Sequence, residues 1–254
     1  MGFYARVGLI LAAAVFCVTN SGKLPNSIGR CSVKDPEFNE CLKKNVEDAI
    51  HQFKKETPEL GLNTLDPLDI PELIIGEGHG PVNVVQHFKN VKLYGLTDSI
   101  VLSASADFKN RILHATSITP ELRLQGEYSM RGRVMLLPVF GDGPCNVTLY
   151  NTKINHTIYA EPFQKKGKTF WHFSNYTVTL RPDRMTYKFD NLFNGEERLA
   201  NNILNVLNEN WNEVFTDVRD GYEKSFGLIF HGLANRVFSK VAVADIFMDV
   251  EDLV

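Results

Sequence analysis

The sequence predicts an α+β fold in which a strongly curved antiparallel β-sheet wraps a long C-terminal α-helix, with a short helix near the N-terminus. Three observations carry this. Late in the chain the apolar residues Ile203, Val206, Leu207, Trp211, Val214, Phe215 and Val218 fall on one helical face, and the stripe resumes at Tyr222, Phe226, Ile229, Phe230, Leu233 and Val237. Between residues 82 and 189 the period changes to two, with short connections that only antiparallel neighbours tolerate. Rolling that sheet around the striped helix hides both apolar faces, which would otherwise be large exposed patches.

Taken in chain order, Arg6 is followed by the apolar run 7–18 and then by Thr19, Asn20, Ser21 and Gly22. That run is too short to span a bilayer and has the order of a secretory leader, so residues 1–21 are expected to be a signal peptide and 22–254 one domain in an oxidising, extracellular setting. Residues 36–56 predict a first helix, with Phe38, Leu42, Val46, Ile50 and Phe53 on one face. Residues 57–81 carry Pro58, Gly61, Pro67, Pro71, Gly76, Gly78, Gly80 and Pro81 and are expected to be a loop. Strands follow, the first with Ile100, Leu102, Ala104, Ala106 and Phe108 alternating against the residues between them. Others are expected within 122–125, 128–137, 147–150, 154–159 and 176–180. Turns are expected at Gly126, at Gly141-Asp142-Gly143-Pro144, at Gly167 and at Pro182. Asn194 with Glu197 three residues on predicts a capping box at the start of the long helix. If both striped runs are one helix, its ~45 residues extend roughly 65 Å.

The cysteines and sequons agree with secretion. Outside the leader stand Cys31, Cys41 and Cys145. The close pair Cys31 and Cys41 can close a short loop that pins the N-terminal arm to the first helix, leaving Cys145 as a free thiol, an intermolecular bridge or a small buried residue. Asn146, Asn155 and Asn175 each begin an Asn-x-Thr sequon and are expected to carry glycans. A glycan faces water, so alternation turns Val147, Leu149, Ile154, Ile158, Tyr176, Val178 and Leu180 inward, and Cys145 with them. This parity favours a buried, unpaired thiol.

Chemistry is sparse. There is no G-x-S-x-G, H-E-x-x-H or P-loop motif, and the seven histidines show no metal-ligand spacing, so neither enzyme, metal nor cofactor is expected. Gly76-Glu77-Gly78-His79-Gly80 lacks the following helix of a phosphate loop and is expected to be a turn. Asp66 and Asp69 are expected to make local hydrogen bonds. A net charge of -3 gives no field toward nucleic acid or anionic membrane.

Three motifs carry a family resemblance. They are Phe189-Asp190-Asn191-Leu192-Phe193-Asn194-Gly195 followed by Leu207-Asn208-Glu209-Asn210-Trp211 and Val237-Phe238-Ser239-Lys240-Val241; Cys31 and Cys41 flanking Asp35-Pro36-Glu37-Phe38-Asn39-Glu40; and Gly132-Arg133-Val134-Met135-Leu136-Leu137-Pro138 leading into Gly141-Asp142-Gly143. The mature chain resembles the takeout and juvenile-hormone-binding protein family of insects. The resemblance implies a tubular lipid-binding-like fold with an apolar tunnel, and a secreted carrier of a juvenile-hormone-like terpenoid, fatty acid or pheromone. The hormone carriers proper have a second disulfide, for which Cys145 has no mate, so the resemblance points to the broader takeout branch. The expected partner is a small hydrophobic ligand, without nucleic acid or stable membrane insertion, and the expected state is a monomer. Candidate tunnel residues on inner strand faces and the helix are Tyr128, Val134, Leu136, Tyr176, Trp211, Val214 and Phe215, with ordinary core packing the competing reading for each. A ligand lying along the helix is expected to change the emission of Trp211. Lipid exchange at membranes needs a basic or aromatic rim that the sequence does not display, and hydrolysis of apolar esters needs a nucleophile and base that it lacks.

Overall fold

The computed structural model describes residues 23–76, 80–134 and 137–250, so the leader segment and Leu136 lie outside the described residues. The elements are β1 (Cys31–Ser32), α1 (Phe38–Gln52), β2 (Leu68–Ile75), β3 (Val82–Tyr94), β4 (Ile100–Asp107), β5 (Ile112–Val134), β6 (Leu137–Lys165), β7 (Lys168–Arg181), β8 (Arg184–Phe189), α2 (Glu197–Glu209), α3 (Trp211–Phe238), α4 (Val243–Ile246) and β9 (Phe247–Met248). Among the described residues, seven strands form one antiparallel sheet. It runs β2-β3-β5-β6-β7, with β4 beside the first part of β5 and β8 beside β6. The short β1 pairs in parallel with β9, tying the two ends of the domain together. A hydrogen bond from the Ser32 hydroxyl to Asp249 adds to this pairing, and the Cys31–Cys41 disulfide ties β1 to α1.

Two expected turns are instead points where a long strand is crossed closely. Strand β5 passes straight through Gly126, where an added Cβ would lie 2.8 Å from the Lys89 carbonyl oxygen and 3.1 Å from the Val91 Cα. β3 presses in at that spot, and its register against β5 shifts between Lys89 and Lys92. Likewise β6 continues through Gly141, where a Cβ would stand 2.9 Å from the Cα of Leu192 in the segment that follows β8. Glycine is required at both positions for close backbone approach rather than for reversal.

Three further expectations are corrected. The region 57–81 contains strand β2, whose Pro71 is accommodated because β2 bonds to β3 alone and the register steps from Ile70 to Glu72 without it. In β4 the alternation breaks at a bulge between Val101 and Ser103. Val101 therefore turns inward at 2% exposure and Ile100 outward at 51%, while Ala104 beyond the bulge is again buried. Finally, no capping box opens the long helix. Asn194 has φ 55° in a 3-10 turn, Glu196 occupies the N-cap position of α2, and no side chain caps it.

The stripe is divided between two helices, but inside its first run rather than at Gly221, through which α3 continues. The break falls at Asn210, whose φ of -104° departs from helical values and whose side-chain amide donates to the Val206 carbonyl at 2.9 Å. Val214, Phe215, Val218, Tyr222 and Phe226 of α3 are buried against β2, β3, β5 and β8 in the main core. Beyond Gly227 the helix changes surroundings. Phe238 joins Trp171, Phe173, Phe108, Phe38 and Phe247 in a separate aromatic cluster.

Candidate functional site

Between α1, the second half of α3 and the inner faces of β4, β5, β6 and β7 lies a cavity of about 340 Å³. Its walls explain its existence. Helix α1 has no fully buried residue, and its stripe of Leu42, Val46, Ala49 and Ile50, with Phe53 just beyond its end, lines this space. Opposite, several positions that meet it are small, namely Ser99 just before β4, Ala104, Ser105, Ala115 and Ser117 on the strands, and α3 adds Ala234. Small side chains on facing elements leave a void that Leu or Phe would fill elsewhere in the core.

Among the described residues, no lysine, arginine, aspartate or glutamate lines the cavity. Its enclosed polar feature is a chain of three side chains, one from each of three adjacent strands. The Tyr176 hydroxyl on β7 lies 3.0 Å from His156 Nδ1 on β6, and His156 Nε2 lies 3.4 Å from the Ser117 hydroxyl on β5. Phe230 of α3 covers them, its ring centroid 5.8 Å from His156 and 6.0 Å from Tyr176. Burial alone lowers the His156 pKa to about 4, so the imidazole is neutral at ordinary pH, and it raises that of Tyr176. The other histidine at the cavity, His114, is exposed and within 3.3 Å of the Thr157 hydroxyl.

Of the residues expected to line a tunnel, the cavity receives Tyr176. Tyr128, Val134, Trp211, Val214 and Phe215 are elsewhere. Val134 and Val214 border a slit of about 20 Å³ at the other end of the sheet, too tight for more than roughly one water. Tyr128 packs on Phe189 at 4.7 Å and donates its hydroxyl hydrogen to the Asp190 carbonyl at 2.7 Å. Phe215 is buried beside Tyr222. Trp211 is half-buried, with the Arg184 guanidinium 6.0 Å from its ring. The reason is that the first half of α3 seats directly on the sheet, whereas the second half stands across the cavity. Neither Ser117 nor His156 is among the residues expected to line a tunnel. His156 has the same parity as Ile154 and Ile158, and an ionisable ring between two inward apolar neighbours is the signal the sequence offers.

Cys145 is unpaired and buried on the inner face of β6, away from the cavity, and burial pushes its thiol pKa up to about 12. Asn155 and Asn175 are exposed, whereas Asn146 is half-buried and accepts a hydrogen bond from the Thr148 hydroxyl at 3.1 Å.

The cavity also relocates the fluorescent reporter. Trp171 is fully buried, its ring parallel to that of Phe238 at 6.4 Å and 5.8 Å from that of Phe247, and both phenylalanines line the cavity. A ligand there is expected to shift tryptophan emission in the natural protein and in Trp211→Phe, and to lose most of that effect in Trp171→Phe. Emission titrations of the three proteins with one apolar ligand check this; a response that disappears with Trp211 would place the ligand at the other end.

Residues 9–248 match the family described as haemolymph juvenile hormone binding protein (JHBP). The chain belongs to that family. Its members are binding proteins rather than enzymes. Among curated relatives, the circadian clock-controlled protein daywake of Drosophila melanogaster is 24% identical over 256 residues, covering 96% of each chain. Daywake of Drosophila yakuba is 23% identical over 233 residues, covering 88% of each. Among solved structures, Takeout 1 of Epiphyas postvittana superposes with a TM-score of 0.77 at 24% identity, over 86% of this chain and 99% of that one. The curved sheet and its helices are therefore the takeout fold. Among the described residues no helix is long and apolar enough to cross a membrane.

Proposed function

We propose that this protein is a secreted carrier that holds one small hydrophobic molecule, such as a juvenile-hormone-like terpenoid, a fatty acid or a pheromone, in the cavity between α1 and α3. The observation that carries the reading is the cavity itself, about 340 Å³ and walled almost wholly by apolar side chains. That volume is in the range of small-molecule sites. At ~25 cal/mol per Å² of apolar surface removed from water, a few hundred Å² of ligand gives useful affinity. Membership of a family of binding proteins supports it. The reading includes a secretory leader over residues 1–21, a single domain from 22 to 254, a monomer, and glycans on Asn155 and Asn175, with Asn146 the weakest acceptor because of its partial burial.

Organic extraction of protein purified from the medium of expressing insect cells, followed by mass spectrometry, tests this. A stoichiometric apolar compound is expected, and enzymatic removal of N-glycans is expected to lower the protein mass. Extracts without such a compound, together with failure of the stripped protein to take up any terpenoid or long-chain probe, would overturn the carrier reading.

A further inference from the structure

The Ser117–His156–Tyr176 chain assigns a chemistry to the ligand, an inference that rests on the carrier reading above. These side chains hold three polar hydrogens in all when the imidazole is neutral: two hydroxyl hydrogens and one ring N–H. The two contacts at 3.0 and 3.4 Å use two of them. If Tyr176 donates to Nδ1, the imidazole N–H points to Ser117 and the serine hydroxyl hydrogen is left over. In the other tautomer Ser117 donates to Nε2, Nδ1–H points to Tyr176, and the phenol hydrogen is left over. Either way one O–H at an end of the chain has no acceptor within it, and the surrounding wall is apolar. A donor left so in an apolar cavity costs free energy until an acceptor arrives.

The wall decides which acceptor. With no lysine or arginine on it, an entering carboxylate would shed its water without meeting a countercharge, whereas a carbonyl, ester or ether oxygen pays only the small desolvation cost of a neutral dipole and recovers it in one hydrogen bond. We infer that the cavity selects uncharged, oxygen-bearing apolar molecules, holding one acceptor oxygen at the Ser117–His156–Tyr176 chain, and discriminates against the corresponding free acids. Phe230 over the imidazole closes the polar end, so the rest of the molecule lies toward the apolar stripe of α1.

The test uses the full-length secreted protein stripped of lipid, with methyl palmitate, palmitate and hexadecane as competitors for a bound fluorescent apolar probe at pH 7.5. Methyl palmitate is expected to compete at least tenfold better than palmitate and severalfold better than hexadecane. In the triple variant Ser117→Ala, His156→Leu and Tyr176→Phe, which removes both hydroxyls and the ring N–H, the ester is expected to fall to the level of the hydrocarbon. Equal competition by acid and ester in the natural protein, or an ester advantage over hydrocarbon that survives in the triple variant, would overturn this inference while leaving the carrier reading intact. A probe that does not bind at all, with no competitor active, would instead count against the carrier reading. If the triple variant does not fold, the ester-to-acid and ester-to-hydrocarbon ratios of the natural protein decide, and ratios near one would overturn the inference.

Discussion

Replacing Ala115 with phenylalanine is expected to remove most of the ligand capacity of this protein while leaving it folded. Ala115 lies on β5 directly opposite His156 in the register with β6, and it is among the small residues whose size opens the cavity. A benzyl group there projects into the 340 Å³ space and toward the polar chain, so ligand and side chain compete for one volume. Small-to-large changes in a packed core typically cost 1–3 kcal/mol through strain, but here empty space receives most of the new ring. The expected result is a loss of probe affinity of about tenfold or more, with a urea unfolding midpoint near that of the natural protein. Phe215→Ala provides the opposite case. That ring is buried between the sheet and the first half of α3, away from the cavity, so its removal is expected to cost about 3–5 kcal/mol of stability and to leave probe affinity in the surviving folded protein nearly unchanged. Titrations of both variants with one probe separate the two ends of the molecule; the reverse pattern would mean that the ligand lies along the first half of α3.

The second large effect is in acid. His156 has an ordinary pKa of 6.5 and a folded pKa of about 4, because its burial disfavours the imidazolium. The unfolded chain therefore binds this proton more readily than the folded one. Stability from this residue is complete above pH 6.5, declines as the pH falls from 6.5 toward 4, and is fully lost below that. The difference corresponds to about 3 kcal/mol. In His156→Gln, which keeps a hydrogen-bonding side chain but no titration, the same decline is expected to be absent. Urea midpoints of both proteins between pH 7.5 and 4 measure it, and parallel curves for the two would show that His156 is not buried as a neutral ring. Since the same side chain lines the cavity proposed to hold the ligand, probe release is expected to accompany the acid loss in the natural protein.

Much of the architecture was legible from local patterns. The antiparallel middle of the chain follows from period-two alternation in stretches such as 147–150 and 154–159, because each side chain's face is set by its own backbone. The inward turn of Cys145 follows from the same rule, since it shares the parity of Val147 and Leu149, which are buried with it. The disulfide between Cys31 and Cys41 needed only their proximity in sequence, and the apolar stripes of α1 and α3 needed only their spacing. What failed at this level was whatever depends on a distant segment. Gly126 and Gly141 have the composition of turns, yet they serve strands that other chain segments cross, and no local signal distinguishes a reversal from a close approach. The bulge between Val101 and Ser103 inverted one strand's faces because it is a property of the pairing with β5 rather than of the strand. Pro71 hid an edge strand, since its tolerance depends on which neighbours are absent.

The site shows the same division most clearly. By itself the sequence determined that apolar faces exist on α3 and on the inner sides of β5, β6 and β7, and that they carry no recognised catalytic motif. It could not determine where those faces touch and where they stand apart. Trp211, Val214 and Phe215 carry the same periodic signature as Phe230, Leu233 and Val237, but the first group is pressed onto the sheet and the second faces a void held open by α1 and by alanines and serines on opposing strands. A cavity is a deficit of volume summed over elements far apart in sequence, and periodicity records only direction. Tertiary structure alone therefore decided which apolar residues pack and which line the cavity, and brought Ser117, His156 and Tyr176 from three strands into one chain within it.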